Sequence, residues 1–412
     1  AEASAPAQFR IRPADDAWRA SLPLDADAAT QAYLDRLPTD VVARSNAYFE
    51  GGYWLQLWNW LLGLAVAAVL MFGRHAARMR DWSQRIGRKA VLRDALFGAL
   101  YAVVTWVLTL PLTIYQGFVR EHQYAMATQG FGAWFGEQVV GLVVSMIVFA
   151  IAAAVFYAVV RKAGEHWWIW GTLVGVGLLV LQVLVSPVLI DPLFNTYKPL
   201  EEGPVKRAVL AMAQADGVPA DNVYEFDASR QTTRVSANVA GLFGDASVRL
   251  NDNLLRRSSL PEIRAVMGHE LGHYVMHHVW HFTVAMAWLF LVGFGFAQWA
   301  MRRLLSRWGD RWGVRAVADV ASLPLLLAVI STAGLVLTPA TNTLSRLQET
   351  EADRFGLNLA REPHGLAEVV LKLTEYRKPD PSPLEEFVFF DHPSARYRIH
   401  DAMRWRQAME GR

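Results

Sequence analysis

The chain has 412 residues, a formal net charge of +2, no cysteine, and 53% hydrophobic residues. Disulfides and thiolate metal sites are excluded, so any bound metal must use His, Asp or Glu, and no bulk attraction to nucleic acid is implied. Sixteen Trp and twelve Tyr, set among long apolar runs, fit a protein with aromatic belts at two membrane surfaces.

In chain order, residues 1–52 read as an exposed amino-terminal segment of short surface helices. Its first residues, Ala1-Glu2-Ala3-Ser4-Ala5, resemble the mature end left by removal of an export signal. Four apolar segments follow near 53–73, 93–115, 136–160 and 167–190, making a four-helix membrane unit over 53–190. Each can cross a hydrocarbon core of about 30 Å at ~1.5 Å per residue. A polar insert occupies 191–279. Two further spans, near 280–300 and 318–340, make a second membrane unit over 280–340, and a soluble segment runs from 341 to 412. The fold class expected is mainly α and polytopic, with about six transmembrane helices and a small α/β domain.

Loop charges orient the spans. Arg74, Arg78, Arg80, Arg85, Arg88, Lys89 and Arg93 follow the first, Arg161 and Lys162 the third, and Arg302, Arg303, Arg307, Arg311 and Arg315 the fifth. The loop between spans two and three has Arg120 alone. The positive-inside rule makes the rich loops cytoplasmic and puts the amino end, the polar insert and the tail on the other face. With an exported amino end, this implies a bacterial inner membrane and a periplasmic site.

Within the insert, Gly203–Ala215 has helical spacing, and Val223–Phe226, Val235–Val239 and Ser247–Leu250 read as strands, the last two joined through Gly241–Asp245. Ser259 and Glu262 form a capping box that starts a helix at Leu260. That helix carries His269-Glu270-Leu271-Gly272-His273. Two imidazoles four residues apart share one face and can grip one divalent ion, while Glu270 can polarise water for attack on a peptide carbonyl. No Gly or Pro separates His273 from the next span, so the helix is expected to run straight into the membrane, with His273 within roughly 15 Å of the apolar boundary.

A third protein ligand is needed. Glu349 and Asp353 lie four apart on one helix face after the last span, while Glu351 points elsewhere. One of the pair can bind metal while the other orients a ligating imidazole. Taken alone such a cluster reads as a solvated acidic face; beside the imidazole pair it reads as the source of the missing ligand. His277, His278 and His281 read as interfacial side chains, and Asp319 as a residue of the membrane boundary. No phosphate-loop pattern and no Ser-His-Asp arrangement stands out.

From about Arg44 to Ile399 the chain resembles the integral-membrane zinc metalloproteases of the Ste24 (CaaX prenyl protease) type, in the M48 peptidases. The resemblance rests on Pro187–Asn195 with Pro199–Gly203, on Val266–His273, on Asn342, Ser345-Arg346, Glu349, Ala352 and Asp353, and on His392-Pro393 with Arg398-Ile399. It implies a gluzincin-type domain and one zinc per chain held by His269, His273 and Glu349. It also implies Glu270 as general base and acid, Asp353 behind a ligand, and a chamber walled by the spans. The strand around Asn238 would lie beside the substrate backbone, with Asn238 and Ala240 in contact with substrate. His392 is either a donor to the oxyanion or a packed residue. The chain departs from the family in reading Asn238-Val239-Ala240 where Asn-Ala-Tyr is usual, and in six spans where eukaryotic relatives have seven. Those relatives also place the catalytic side in the cytosol, against the loop charges here.

The function expected is a zinc endopeptidase acting on hydrophobic, membrane-associated or prenylated CaaX-type peptides, with the lipid bilayer as partner and no nucleic acid. A quality-control protease of the heat-shock M48 branch and a non-catalytic zinc-stabilised carrier of lipid or peptide are the alternatives. Neither substrate nor oligomeric state is legible.

Overall fold

The computed structural model describes residues 11, 13–241 and 246–411. The expected signal-peptide scar and most of the Gly241–Asp245 connection lie outside these residues. Two short helices, α1 (Asp16–Ser21) and α2 (Ala26–Leu34), are capped by the carboxylates of Asp15 and Asp25, which accept otherwise orphaned first-turn N–H groups. They are not a free surface segment. Ala26, Ala29 and Tyr33 are buried against Leu366, Val370, Ile399 and Met403 near the carboxy end, so the amino-terminal segment belongs to the soluble core.

The first span, α3 (Thr39–Phe72), starts well before its apolar stretch, because residues 39–52 continue the same helix outside the membrane region. A basic helix α4 (His75–Ile86) leads into α5 (Ala90–Ile114), which a π-helical turn joins to α6 (Arg120–Gln123). Helix α7 (Phe131–Ala163) is followed by α8 (Trp167–Val185) and the short α9 (Asp191–Phe194). Five helical stretches are long and apolar enough to cross a membrane. One of them, Phe131–Phe194, has 64 residues and would be about 95 Å long if straight. Gly164, at φ 57°, interrupts it, and α7 packs against α8, so this stretch supplies two of the expected crossings. Only 6% of its most apolar window is buried inside the protein, as suits side chains whose solvent is lipid.

A four-stranded sheet follows, in the order β1-β2-β4-β3. Strand β1 (Tyr197–Pro199), too short to show in the sequence, pairs antiparallel with β2 (Val223–Phe226). Strand β3 (Ala237–Ala240) pairs antiparallel with β4 (Ser247–Asn251), which runs parallel to β2. This leaves β3 at an edge. Helix α10 (Pro204–Ala215) contributes Val209 and Met212 to a core with Val223, Val248 and Leu250, closed by Ile263, Met267 and Leu271. After α11 (Asp252–Arg257), α12 (Leu260–Val275) begins where the capping box puts it, with the Ser259 N–H donating to Glu262 Oε2 at 2.9 Å.

Helix α12 does not continue into the membrane as expected. His277 adopts a left-handed conformation, φ 56°, and α13 (His278–Trp312) starts afresh. A non-glycine residue reaches this region rarely, so the break left no Gly or Pro to announce it. Helix α14 (Leu323–Ala360) is the last span and carries Glu349 and Asp353 in its final turns; the membrane unit and the soluble tail are one continuous helix at 340. Helices α15 (Pro363–Leu373), α16 (Pro383–Phe389) and α17 (Ala395–Glu410) complete the chain.

Candidate active site

Helices α12 and α14 cross at small residues. A Cβ on Gly268 would lie 3.0 Å from Gly356 Cα, and one on Gly356 only 2.7 Å from the His269 backbone nitrogen. Gly272 faces Ala352 in the same way, at 3.2 Å from its Cα. Close backbones let short side chains from both helices converge. His269 Nε2 and His273 Nε2 are 3.0 Å apart, His269 Nε2 is 3.2 Å from Glu349 Oε2, and His273 Nε2 is 3.4 Å from Glu349 Oε1. Tetrahedral ligands about 2.0–2.1 Å from a zinc ion stand roughly 3.3 Å from one another. The donor set therefore has the size of one such ion. Among the described residues it is the cluster with metal-binding spacing. Glu349 Oε2 is buried and has no hydrogen-bond partner, which also fits a cation.

Behind His269, Nδ1 lies 2.8 Å from Asp353 Oδ1. Asp353 in turn accepts from Arg398 Nε and Nη2, both at 2.7 Å. Of the two carboxylates left open as ligand or orienter, Glu349 faces the imidazole Nε2 atoms and Asp353 sits behind. In the metal-free chain burial disfavours the His269 imidazolium, but Asp353 and Glu349 outweigh it and push the group up to about 10. A metal must therefore displace a proton there.

Glu270 lies beside these donors and lines a cavity of ≈ 220 Å³ together with His269, Glu349, His392 and Arg398. Burial raises its carboxyl above the ordinary glutamate range. His392 reaches the centre, with Nε2 3.4 Å from Glu349 Oε1 and Nδ1 2.8 Å from Asp391 Oδ1. The strand side of the cavity is formed by Val235, Ser236 and Ala237. Asn238 and Ala240 lie further along β3, beyond that lining. A second cavity, of ≈ 750 Å³, shares Val235, Ser236, Tyr376 and Arg377 with the first and reaches Tyr53, Gln56 and Thr338 on α3 and α14.

Two residues were missed. Arg398 stood in the sequence only as part of a carboxy-terminal block, yet it clamps Asp353. His278, read as interfacial, is 3% exposed and contacts His273. His277 and His281 are exposed, as an interfacial position requires. Glu351 was expected to point away from the site, and it does leave the donor triangle, but it lies 3.2 Å from His278 Nε2.

The profile of peptidase family M48 matches residues 199–406, and that of the CAAX prenyl protease N-terminal region, five membrane helices, matches residues 25–196. An uncharacterized metalloprotease of Bacillus subtilis (strain 168), YhfN, is 29% identical over 83% of this chain and 80% of its own. A CAAX prenyl protease 1 homolog of Arabidopsis thaliana is 25% identical over 90% of this chain and 91% of its own. The crystal structure of S. mikatae Ste24p superposes with a TM-score of 0.77, over 95% of this chain and 100% of that one, at 19% identity. The chain is thus a multi-pass membrane metalloendopeptidase of the Ste24 type and belongs to peptidase family M48.

Proposed function

We propose that the protein is a zinc endopeptidase that cuts hydrophobic, membrane-associated peptides, prenylated CaaX-type peptides among them, with Glu270 as the proton carrier. One observation supports this most: donors with zinc-like spacing, His269 and Glu349 among them, line one cavity with the half-buried Glu270. His269, His273 and Glu349 would hold the ion. Zinc in such a site supplies Lewis acidity and lowers the pKa of water.

The rest falls to the chain. Glu270 takes a proton from the attacking water on its carboxylate and returns it to the leaving amine, a role that favours a carboxyl with a raised pKa. Asp353 keeps the His269 proton on Nδ1, leaving Nε2 free to bind. His392 would donate to the developing oxyanion; its ring at the edge of the donor set supports this role. An extended substrate adds to the open edge of β3, where Val235–Ala237 face the cavity and Asn238 and Ala240 would meet the flanking residues. Asn238 Oδ1 is buried without a partner, a vacancy that a peptide N–H would fill. The larger cavity, walled partly by α3 and α14, accommodates the apolar part of the substrate. Fourteen basic residues in the loops on the far side, against Arg120 alone in the short loop between spans two and three, support a periplasmic site in a bacterial inner membrane.

The test is Glu270→Gln in detergent-purified protein, assayed on prenylated and unprenylated peptides with zinc quantified. We expect full zinc content and cleavage lowered by at least about 10³-fold. Undiminished cleavage would sink the mechanism. Hydrolysis of loosely folded membrane proteins in preference to short peptides would favour the quality-control alternative.

A further inference from the structure

The two imidazoles of the donor set are held from behind in different ways. His269 leans on a carboxylate locked by a guanidinium. His273 Nδ1 instead lies 2.8 Å from another imidazole nitrogen, Nδ1 of His278, and His278 Nε2 lies 3.2 Å from Glu351 Oε2.

The tautomers follow in sequence. His273 turns Nε2 toward the donor triangle, so as a ligand it carries its proton on Nδ1. That N–H needs an acceptor, and the atom at hydrogen-bond distance is His278 Nδ1. The His278 ring must then be bare at Nδ1 and protonated at Nε2, the nitrogen that faces Glu351. Each group has one role that satisfies its neighbour, which matters for a side chain as buried as His278. The left-handed His277 makes this possible. It separates α12 from α13, and His278 comes to lie against His273 on the helix the chain has just left. Gln348 Nε2 donates to the His278 carbonyl at 3.3 Å, fixing the turn to α14.

We propose that His278, oriented by Glu351, is a positioning residue for the metal ligand His273. The inference rests on the zinc reading above. Helix α14 then serves the site three times, through Glu349 in the donor set, Asp353 behind His269 and Glu351 behind His278. Because His278 is also the first residue of a membrane span, the aim of one zinc ligand is tied to the seating of α13.

The experiment measures zinc affinity by chelator competition, and the absorption spectrum of the cobalt-substituted protein, for His278→Phe, His278→Gln, Glu351→Gln and His273→Ala. Phenylalanine fills the volume but accepts no hydrogen bond; the glutamine amide oxygen can accept one. We expect His278→Phe to weaken zinc by roughly 10–100-fold and to shift the cobalt bands, with melting of the metal-free protein little changed. His278→Gln should recover most of that loss, and Glu351→Gln should cost only a few-fold. Unaltered zinc affinity and cobalt spectrum in His278→Phe would overturn the inference. So would equal weakening by Phe and Gln with matching losses in metal-free melting, the mark of a purely structural residue. If the unmodified chain holds no stoichiometric zinc, or His273→Ala holds it as tightly, the metal reading itself falls and the inference with it.

Discussion

Helix α14 has a buried carboxylate–guanidinium knot near each end. Asp319, just before it, accepts from Arg80 Nη1 at 2.5 Å and from the backbone N–H groups of Arg315 and Ala321 at 3.1 Å. Asp353, near its far end, accepts twice from Arg398 at 2.7 Å. Positions 319 and 353 are about 50 Å apart along a helix. Both pairs are sheltered from water, yet one belongs to the candidate site and the other does not. What differs is the third partner. The remaining contacts of Asp319 are backbone, so its knot ties α4 to the entrance of α14. One oxygen of Asp353 also meets an imidazole whose other nitrogen joins the donor triangle. A buried ion pair marks stability as readily as function; the imidazole attached to it decides which.

Breaking each knot separates the two roles. Asp353→Ala and Asp319→Ala should both destabilise the protein, by about 3–5 kcal/mol, because each leaves a guanidinium buried without its carboxylate. Asp353→Ala should also weaken zinc by roughly 10–100-fold, whereas folded Asp319→Ala should bind it normally. Thermal melting and zinc titration of the two variants check this. Equal zinc loss in both would show that the far knot reaches the site after all.

The crossing of α12 and α14 sharpens the same contrast between holding a site and holding a fold. Gly356→Ala places a methyl 2.7 Å from the His269 nitrogen and 2.9 Å from the Gly268 carbonyl carbon, backbone atoms that move only with the helix. A displacement on the order of 1 Å at the donors costs about 10²-fold in rate, so kcat/KM should fall by that order. Gly272→Ala meets Phe355 Cδ1 at 3.1 Å, a side chain that can turn aside, and the Ala352 Cα and carbonyl oxygen at 3.2 Å, contacts that need only a few tenths of an ångström of relief. Its loss should stay within about tenfold. The reverse ranking in peptide-cleavage rates would mean that the helices do not meet as described.

These glycines show what the sequence offered and what it withheld. Gly268 and Gly272, with Ala352 and Gly356, repeat a small residue every fourth position on both helices, a close-crossing signal that was present but unread. Apolar runs gave the spans because length and hydropathy are local properties, and the imidazole pair was visible because its spacing matches a helix. The left-handed turn at His277 was invisible, since tertiary packing and no local residue preference sets it. His278 was misassigned as a direct consequence, and Glu351 lost its partner. Arg398 is 45 residues from Asp353, a distance over which only folding can make a pair. Tyr33 looked like surface because its segment mixes charged residues with modest periodicity, while its burial comes from α15 and α17.

Glu270 is a third carboxylate to set beside Asp319 and Asp353, half-buried, and it has no guanidinium clamp of its own. Among the described residues it accepts no hydrogen bond, and burial raises its pKa. A carboxyl with a folded pKa above its unfolded one binds its proton more tightly in the native state, so folding loses stability as pH rises through that interval. In metal-free protein, Glu270→Gln should therefore melt slightly higher than the unmodified chain at pH 8, and the gap should close on acidification, once the native glutamate is protonated too. Asp319→Asn and Asp353→Asn should do the opposite and lower melting at pH 8, because each removes the charge its arginine faces. The effect at Glu270 is the smallest considered, yet its sign is diagnostic: a desolvated carboxylate held without a clamp weakens the fold that carries it. Lower melting of Glu270→Gln than of the unmodified chain at pH 8 would show instead that the carboxylate is held like the other two.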